Sequence, residues 1–202
     1  MAEPRNDSEY YSNNHRKYNS GSRLYEWHLQ AFKETLYGLV EQSGGNTVLD
    51  AGCGEGYVVN YLAGKNPTLQ LTGVDLSNDA VNYAKEHFGD KARFRTGSIY
   101  KLPFSDRSFD LVICSEVLEH LDDPATAVKE LKRVARMAIL ITVPLEPYFQ
   151  WLNNLGQWLG LSQDPGHVNF WTKKSFQNFI HSNFDAPVFA WKHIYQLALV
   201  KV

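Results

Sequence analysis

The chain has 202 residues, a length that suits one domain with an extra segment and supports a sizeable core. Apolar residues make up 44% and charged residues 21%, ordinary for a globular protein, and the formal net charge of -2 argues against an electrostatic nucleic-acid binder, which carries a basic surface. Cys53 and Cys114 are the only cysteines, which suggests neither a disulfide framework nor a zinc site and points to a reducing, cytoplasmic setting; no run resembles a signal peptide or approaches the roughly 20 apolar residues of a membrane span.

Residues 1–21 are rich in Asn, Ser, Arg and Tyr and lack any helical or strand period, so they read as a flexible N-terminal segment. Tyr10, Tyr11 and Tyr18 leave open a lid that folds over a ligand. Ser22 to Gln42 reads as a helix, with Leu24, Trp27, His28, Ala31, Phe32, Leu36 and Leu39 on one stripe, Ser22 as cap and Gly44-Gly45 as stop. Strand and helix signals then alternate. Thr47 to Asp50 is a short apolar strand, and Tyr57 to Ala63 a helix closed by Gly64. Leu69 to Val74 is a second strand ending in Asp75; Ser77 caps the next helix and Gly89 ends it. Ala92 to Arg95 and Phe109 to Cys114 are the third and fourth strands, Asp123-Pro124 opens another helix, and Ala138 to Val143 is the fifth strand. This alternation implies a Rossmann-like α/β fold with a mostly parallel sheet and helices on both faces.

After Pro144 the pattern changes. Tyr148, Trp151, Leu152, Leu155, Trp158 and Leu159 form an aromatic stripe, residues 163–169 a loop, and Thr172 caps a helix bearing Phe176, Phe179 and Ile180. Val188 to Ile194 and Gln196 to Val202 read as two final, antiparallel strands. Residues 22–202 thus form one domain, with 145–171 as an insertion able to cap a substrate.

The chemistry concentrates at Val48-Leu49-Asp50-Ala51-Gly52-Cys53-Gly54-Glu55-Gly56. A buried strand runs into a turn stripped of side chains, and a helix opens behind it with its N–H groups aimed at the same space, which is the architecture of a nucleotide-type cofactor cradle. A dinucleotide fingerprint requires a sixth-position glycine, but counting from Gly52 that position holds Tyr57. Asp75, at the end of the second strand, is placed to accept hydrogen bonds from ribose hydroxyls, with Leu76 beside it.

The glycine stretch resembles the cofactor motif of class I S-adenosylmethionine-dependent methyltransferases. Gly97-Ser98-Ile99 followed by Leu102-Pro103-Phe104, and Cys114-Ser115-Glu116-Val117-Leu118-Glu119-His120-Leu121, resemble two further segments of that family, mainly of its small-molecule type. The resemblance covers roughly residues 45–145 and implies a seven-stranded sheet whose last strand is antiparallel. It implies S-adenosyl-L-methionine as cofactor, held by Asp50, Gly52, Cys53, Gly54, Asp75, Leu76, Ser98, Ile99 and Ser115. Ser98 departs from the family's usual Asp, so an adenine contact there lacks a charge. If the segment after the fourth strand is helical, Glu116, Glu119 and His120 share one face. His120 reads as a pin between this segment and the sheet or as a proton acceptor. His167, in Gly166-His167-Val168-Asn169-Phe170-Trp171, is a second candidate base beside a loop-ordering role. No metal is expected. The expected activity is methyl transfer to a small molecule, apolar or aromatic if the 145–171 stripe forms a lid. The rivals are a noncatalytic cofactor-binding relative and a nicotinamide-dependent oxidoreductase. The acceptor and the oligomeric state stay open.

Overall fold

The computed structural model describes residues 23–150 and 166–202. The N-terminal segment with its three tyrosines and Ser22, and most of the aromatic stripe (Trp151, Leu152, Leu155, Trp158 and Leu159), lie outside the described residues. The elements in chain order are α1 (Arg23–Ser43), β1 (Thr47–Ala51), α2 (Tyr57–Lys65), β2 (Gln70–Asp75), α3 (Asn78–Phe88), β3 (Arg93–Thr96), β4 (Phe109–Ser115), a single 3₁₀ turn (Leu118–His120), α4 (Pro124–Val134), β5 (Ala135–Pro144), α5 (Lys173–Asn183), β6 (Val188–Lys192) and β7 (Tyr195–Lys201). The helix ends follow local chemistry. Ser77 Oγ accepts from Ala80 N, Asp123 from Thr126 N with Pro124 at the first helical position, and Thr172 from Ser175 N.

The seven strands form one sheet in the order β3-β2-β1-β4-β5-β7-β6. The first five pair in parallel, while β7 runs antiparallel to both β5 and β6. This is the Rossmann-like sheet expected, with the last strand reversed. Its two faces are built by the period-two alternation of the strands. Leu49, Val112, Cys114, Ile139 and Ile141 pack with Val128 and Leu131 of α4 and Phe176 and Ile180 of α5. Val48, Leu111, Ile113 and Leu140 pack on the other face with Phe32 and Leu36 of α1, Leu62 of α2 and Val81 of α3. Because both faces are covered, β4 and most of β5 are buried along their length.

Several boundaries differ from expectation. Gly64 does not stop α2, which continues through Lys65 to an extended cap at Asn66; a Cβ at Gly64 would meet nothing within 4 Å, so this is an open helical position. β5 is longer at both ends than the apolar run, because its first residues follow directly on the capped end of α4. The final hairpin turns at His193-Ile194, where His193 has φ 53, so Tyr195 belongs to β7 and pairs with Pro144.

The amino-terminal edge is fastened by Asp110. Its Oδ2 accepts from Asn46 N, Thr47 N and Thr47 Oγ1 at 2.9–3.1 Å, and its Oδ1 binds the Arg136 guanidinium at the start of β5. The Thr47 N–H, chiefly, and the Arg136 charge hold this carboxyl well below the usual carboxylate range. One side chain thus joins the starts of β1, β4 and β5. A carboxyl depressed in the fold contributes its stability in full above its unfolded pKa of about 3.9 and loses it as pH falls through the folded value. Asp110→Ala is therefore expected to lower unfolding free energy at pH 7 by about 1.5–3 kcal/mol, the range for hydrogen bonds to a charged group. In urea titrations the gap to wild type should narrow on acidification; a gap that stays constant from neutral to strongly acid pH overturns this role.

Candidate functional site

β1, β2 and β4 all end at the carboxyl edge of the sheet. β2 leads outward to one side of β1 and β4 to the other, so the chain reverses direction across the sheet at β1. A crevice opens at such a reversal, and ligands bind there in open α/β sheets. The loops after these three strands carry most of the residues singled out by the motifs.

The loop after β1 is drawn in tightly. Gly52 N and Cys53 N both donate to Val74 O, at 2.7 and 3.0 Å, and Gly56 N donates to Cys53 O. Gly52, Gly54 and Gly56 have φ of 87, 50 and 81, a region that costs other residues strain. At Gly52 space is also lacking, since an added Cβ would lie 2.4 Å from Val117 Cγ2. The glycine loop and the segment after β4 are therefore in direct contact. Cys53 turns its side chain inward under Gly73 and is 8% exposed, so only its backbone can reach a ligand; burial and the charges of Asp50 and Asp75 push its thiol pKa well up.

Two carboxylates define the electrostatics. Asp75 Oδ2 accepts from Gly54 N at 2.7 Å and Oδ1 from Ser77 N at 2.9 Å, so this side chain clamps the glycine loop to the start of α3. Each carboxylate oxygen offers two acceptor sites, so these bonds leave capacity for ligand hydroxyls. Asp50 is 2% exposed, and its Oδ1 has no hydrogen-bond partner among the described residues. Burial, and then the Asp75 charge, push its pKa up to about 7. A buried acid with an orphaned oxygen at the floor of a crevice fits a ligand that brings a positive charge or a hydrogen-bond donor.

The remaining cofactor candidates ring the same edge. Leu76 is 64% exposed beside the Asp75 clamp. Gly97 N donates to Asp75 O, which fixes the Ser98-Ile99 turn next to it. Ser98 Oγ accepts from Tyr100 N at 3.2 Å, and Ile99 packs partly buried against the core. Ser115, at the end of β4, shares a hydrogen bond with Thr142 Oγ1 at 3.0 Å, and Thr142 Oγ1 lies 2.9 Å from Glu116 Oε1. Thr142 is a fully buried hydroxyl inside the otherwise apolar run 138–143, and that lone Thr is the sequence signal for it.

The segment after β4 is not a regular helix. Glu116 adopts φ 57, and a helical turn forms only at Leu118–His120, so Glu116 does not share a helix face with Glu119 and His120. Two contacts accompany the break: Glu116 N donates to Thr142 O, extending the β4–β5 pairing, and the Val117 side chain closes on Gly52. Beyond it, Val168 N and Asn169 N both donate to Glu119 O at 2.8–2.9 Å, and Asn169 Nδ2 donates to Leu118 O and Leu121 O. This places residues 166–170 along the 3₁₀ turn and sets the rings of His120 and His167 4.8 Å apart. The two candidate bases, 47 positions apart in sequence, are thereby neighbours. Phe149 stacks on His167 at 5.0 Å. Trp171 is 8% exposed and packs on Phe176 and Phe179, which makes it an anchor for α5.

Comparison with known proteins follows the same lines. The methyltransferase domain family profile matches residues 49–138. The ubiquinone biosynthesis O-methyltransferase of Nitrosomonas europaea is 33% identical over 112 residues, 54% of this chain and 45% of that protein. The uncharacterised methyltransferase YcgJ of Bacillus subtilis is 30% identical over 142 residues, 67% of this chain and 55% of its own length. Its crystal structure superposes with a TM-score of 0.58 over 72% of this chain and 64% of that one, at 26% identity. Human N-acetylserotonin methyltransferase, solved in complex with S-adenosylmethionine, has a TM-score of 0.65 over 84% of this chain and 51% of that one at 21% identity, which shows the shared fold. The chain spans only 36%, 25% and 45% of the length of three curated relatives that it matches. The glycine-rich loop at the switch point of this sheet, together with these matches, supports a methyltransferase domain of the class I S-adenosylmethionine-dependent type over residues 49–138.

Proposed function

We propose that this protein transfers a methyl group from S-adenosylmethionine to a small-molecule acceptor. The observation that carries the reading is the clamp between Asp75 and Gly54 N beside the buried, partnerless Asp50 oxygen. When bound, the cofactor supplies an electrophilic methyl group on a sulfonium, so the chain's own task is to hold, orient and desolvate. Asp75 accepts hydroxyls of the ribose. The bare backbone of Gly52 and Gly54 would hold the amino-acid portion, and Asp50 would balance its positive charge. Leu76, Ile99 and Ser98 flank the adenine, and Ser115 closes the crevice from β4. The acceptor approaches from the side of Glu116, His120 and His167.

An oxygen acceptor is favoured by the likeness to a ubiquinone biosynthesis O-methyltransferase and by the carboxylate and imidazole groups on that side. Among the described residues no helix is long and apolar enough to cross a membrane, and the two buried free thiols suit a reducing, cytoplasmic compartment. The nicotinamide alternative finds no support, since the sixth position of the loop is Tyr57, the first residue of α2.

Asp75→Ala is expected to weaken S-adenosylhomocysteine binding, read by calorimetry, by about 1.5–3 kcal/mol. Wild-type affinity in the variant would remove Asp75 from the site, and saturable binding of NADH instead would favour the oxidoreductase. Asp50 gives an independent test. Its pKa is raised in the fold, so the folded protein holds a proton that the unfolded chain has released, and ligand-free stability falls as pH rises from about 4 to 7. Asp50→Asn should flatten that fall and gain on the order of a few kcal/mol at pH 7, while weakening S-adenosylhomocysteine binding. Parallel stability profiles for variant and wild type across this range would contradict the assignment.

A further inference from the structure

The described residues bring three ligating side chains to one point beside the cradle. Single donor atoms of Glu119, His120 and His167 lie within 4.8 Å of one another. Glu119 is 1% exposed and both histidines are partly buried. The pairing of His120 Nε2 with Glu119 Oε1 is 4.0 Å. His120 Nδ1 lies 3.4 Å from Gly166 O, and since a carbonyl only accepts, a hydrogen bond there puts the proton on Nδ1 and leaves the Nε2 lone pair facing Glu119. That is how metal-binding histidines are oriented by a second partner. The supporting frame is fixed by backbone bonds rather than by side-chain chance. Glu119 O takes the N–H groups of Val168 and Asn169, and the Asn169 amide bonds both Leu118 O and Leu121 O.

From this geometry we propose that Glu119, His120 and His167 form a divalent metal site. Two imidazoles and a carboxylate select a borderline transition ion such as Zn²⁺ or Co²⁺ over Mg²⁺ or Ca²⁺, which require mostly oxygen ligands. Donors about 2.1 Å from an ion lie roughly 3.4 Å apart in a tetrahedral shell. The cluster therefore has to contract by at most about 1.4 Å, within reach of side-chain rotation. Three protein ligands leave a position open, the arrangement of sites that bind water or substrate rather than purely structural ones. Val117, one residue before the turn, touches Gly52, so the turn that carries two of the ligands adjoins the glycine loop. Resting on the methyltransferase reading, the occupant of the open position is an oxygen of the methyl acceptor, which favours acceptors carrying a hydroxyl. The two histidines then serve as ligands rather than as free bases.

The test is calorimetric titration of the chelator-treated full chain with Zn²⁺ and Co²⁺, and with Mg²⁺ as a contrast, alongside a separate titration with S-adenosylhomocysteine. One equivalent of Zn²⁺ is expected to bind in the micromolar range. His167→Ala and His120→Ala should each weaken it by more than about tenfold, the least expected even for disturbing a ligand's outer partner. His28→Ala is the control, because His28 and His193 form a separate pair with rings 4.4 Å apart. Circular dichroism melts verify that each variant folds, and His167, on a surface segment, is the substitution expected to leave the melt unchanged. Absence of Zn²⁺ binding, binding unaffected by both site variants, or binding abolished by His28→Ala overturns the site. S-adenosylhomocysteine binding without Zn²⁺ binding rejects the metal site alone, whereas Zn²⁺ binding without S-adenosylhomocysteine binding rejects the methyltransferase reading alone.

Discussion

The Asp75 carboxylate is the constraint on which the rest of the cradle depends. It sits at the end of β2 and accepts from Gly54 N and Ser77 N, one bond into the loop after β1 and one into the start of α3. Charge-assisted bonds of this kind are about twice as strong as neutral ones. They make the loop shape a property of two adjacent strands rather than of the loop alone. Gly52 N and Cys53 N add to this through Val74 O, and Gly97 N through Asp75 O, so three crossovers are tied to the last two residues of β2. The same carboxylate raises the pKa of Asp50, which links the mechanical clamp to the charge state of the floor beneath it.

The proposed acceptor side is organised differently. Its frame is backbone carbonyls of a single 3₁₀ turn, Leu118, Glu119 and Leu121, which receive the N–H groups of a segment that arrives after β5. Glu146 N donates to Trp171 O, and Gln196 Nε2 donates to both Pro144 O and Trp171 O, so residues at 144–146 and 171 are held together at the edge of the core. The result is a junction in which β4, β5 and α5 meet over a small polar group of Glu, His and His.

Much of the architecture was legible in the sequence because it rests on local patterns. Apolar runs, Gly stops and the caps Ser77, Asp123 and Thr172 report on short-range preferences, and the structure places helices and strands accordingly. The exceptions are places where a tertiary contact outweighs a local one. Gly64 has helix-ending character, yet α2 continues because its neighbours pack and nothing crowds the position. Glu116 to His120 carries helix-forming residues, yet Glu116 goes to φ 57 because its N–H is taken by Thr142 O and Val117 must pack on Gly52.

The glycine spacing, the acids at 50 and 75 and the strand–helix alternation are all legible within short windows of the chain, and they point to a fold and a family. Packing at long range is what turns the Cys53 thiol into the core, joins Thr142 to Ser115 and Glu116, and makes neighbours of His120 and His167. The physical reason is separation along the chain. A motif of nine residues is held by its own turn geometry, whereas residues 120 and 167 meet only because the sheet order places β5 beside β4 and backbone bonds then draw the returning segment onto the 3₁₀ turn.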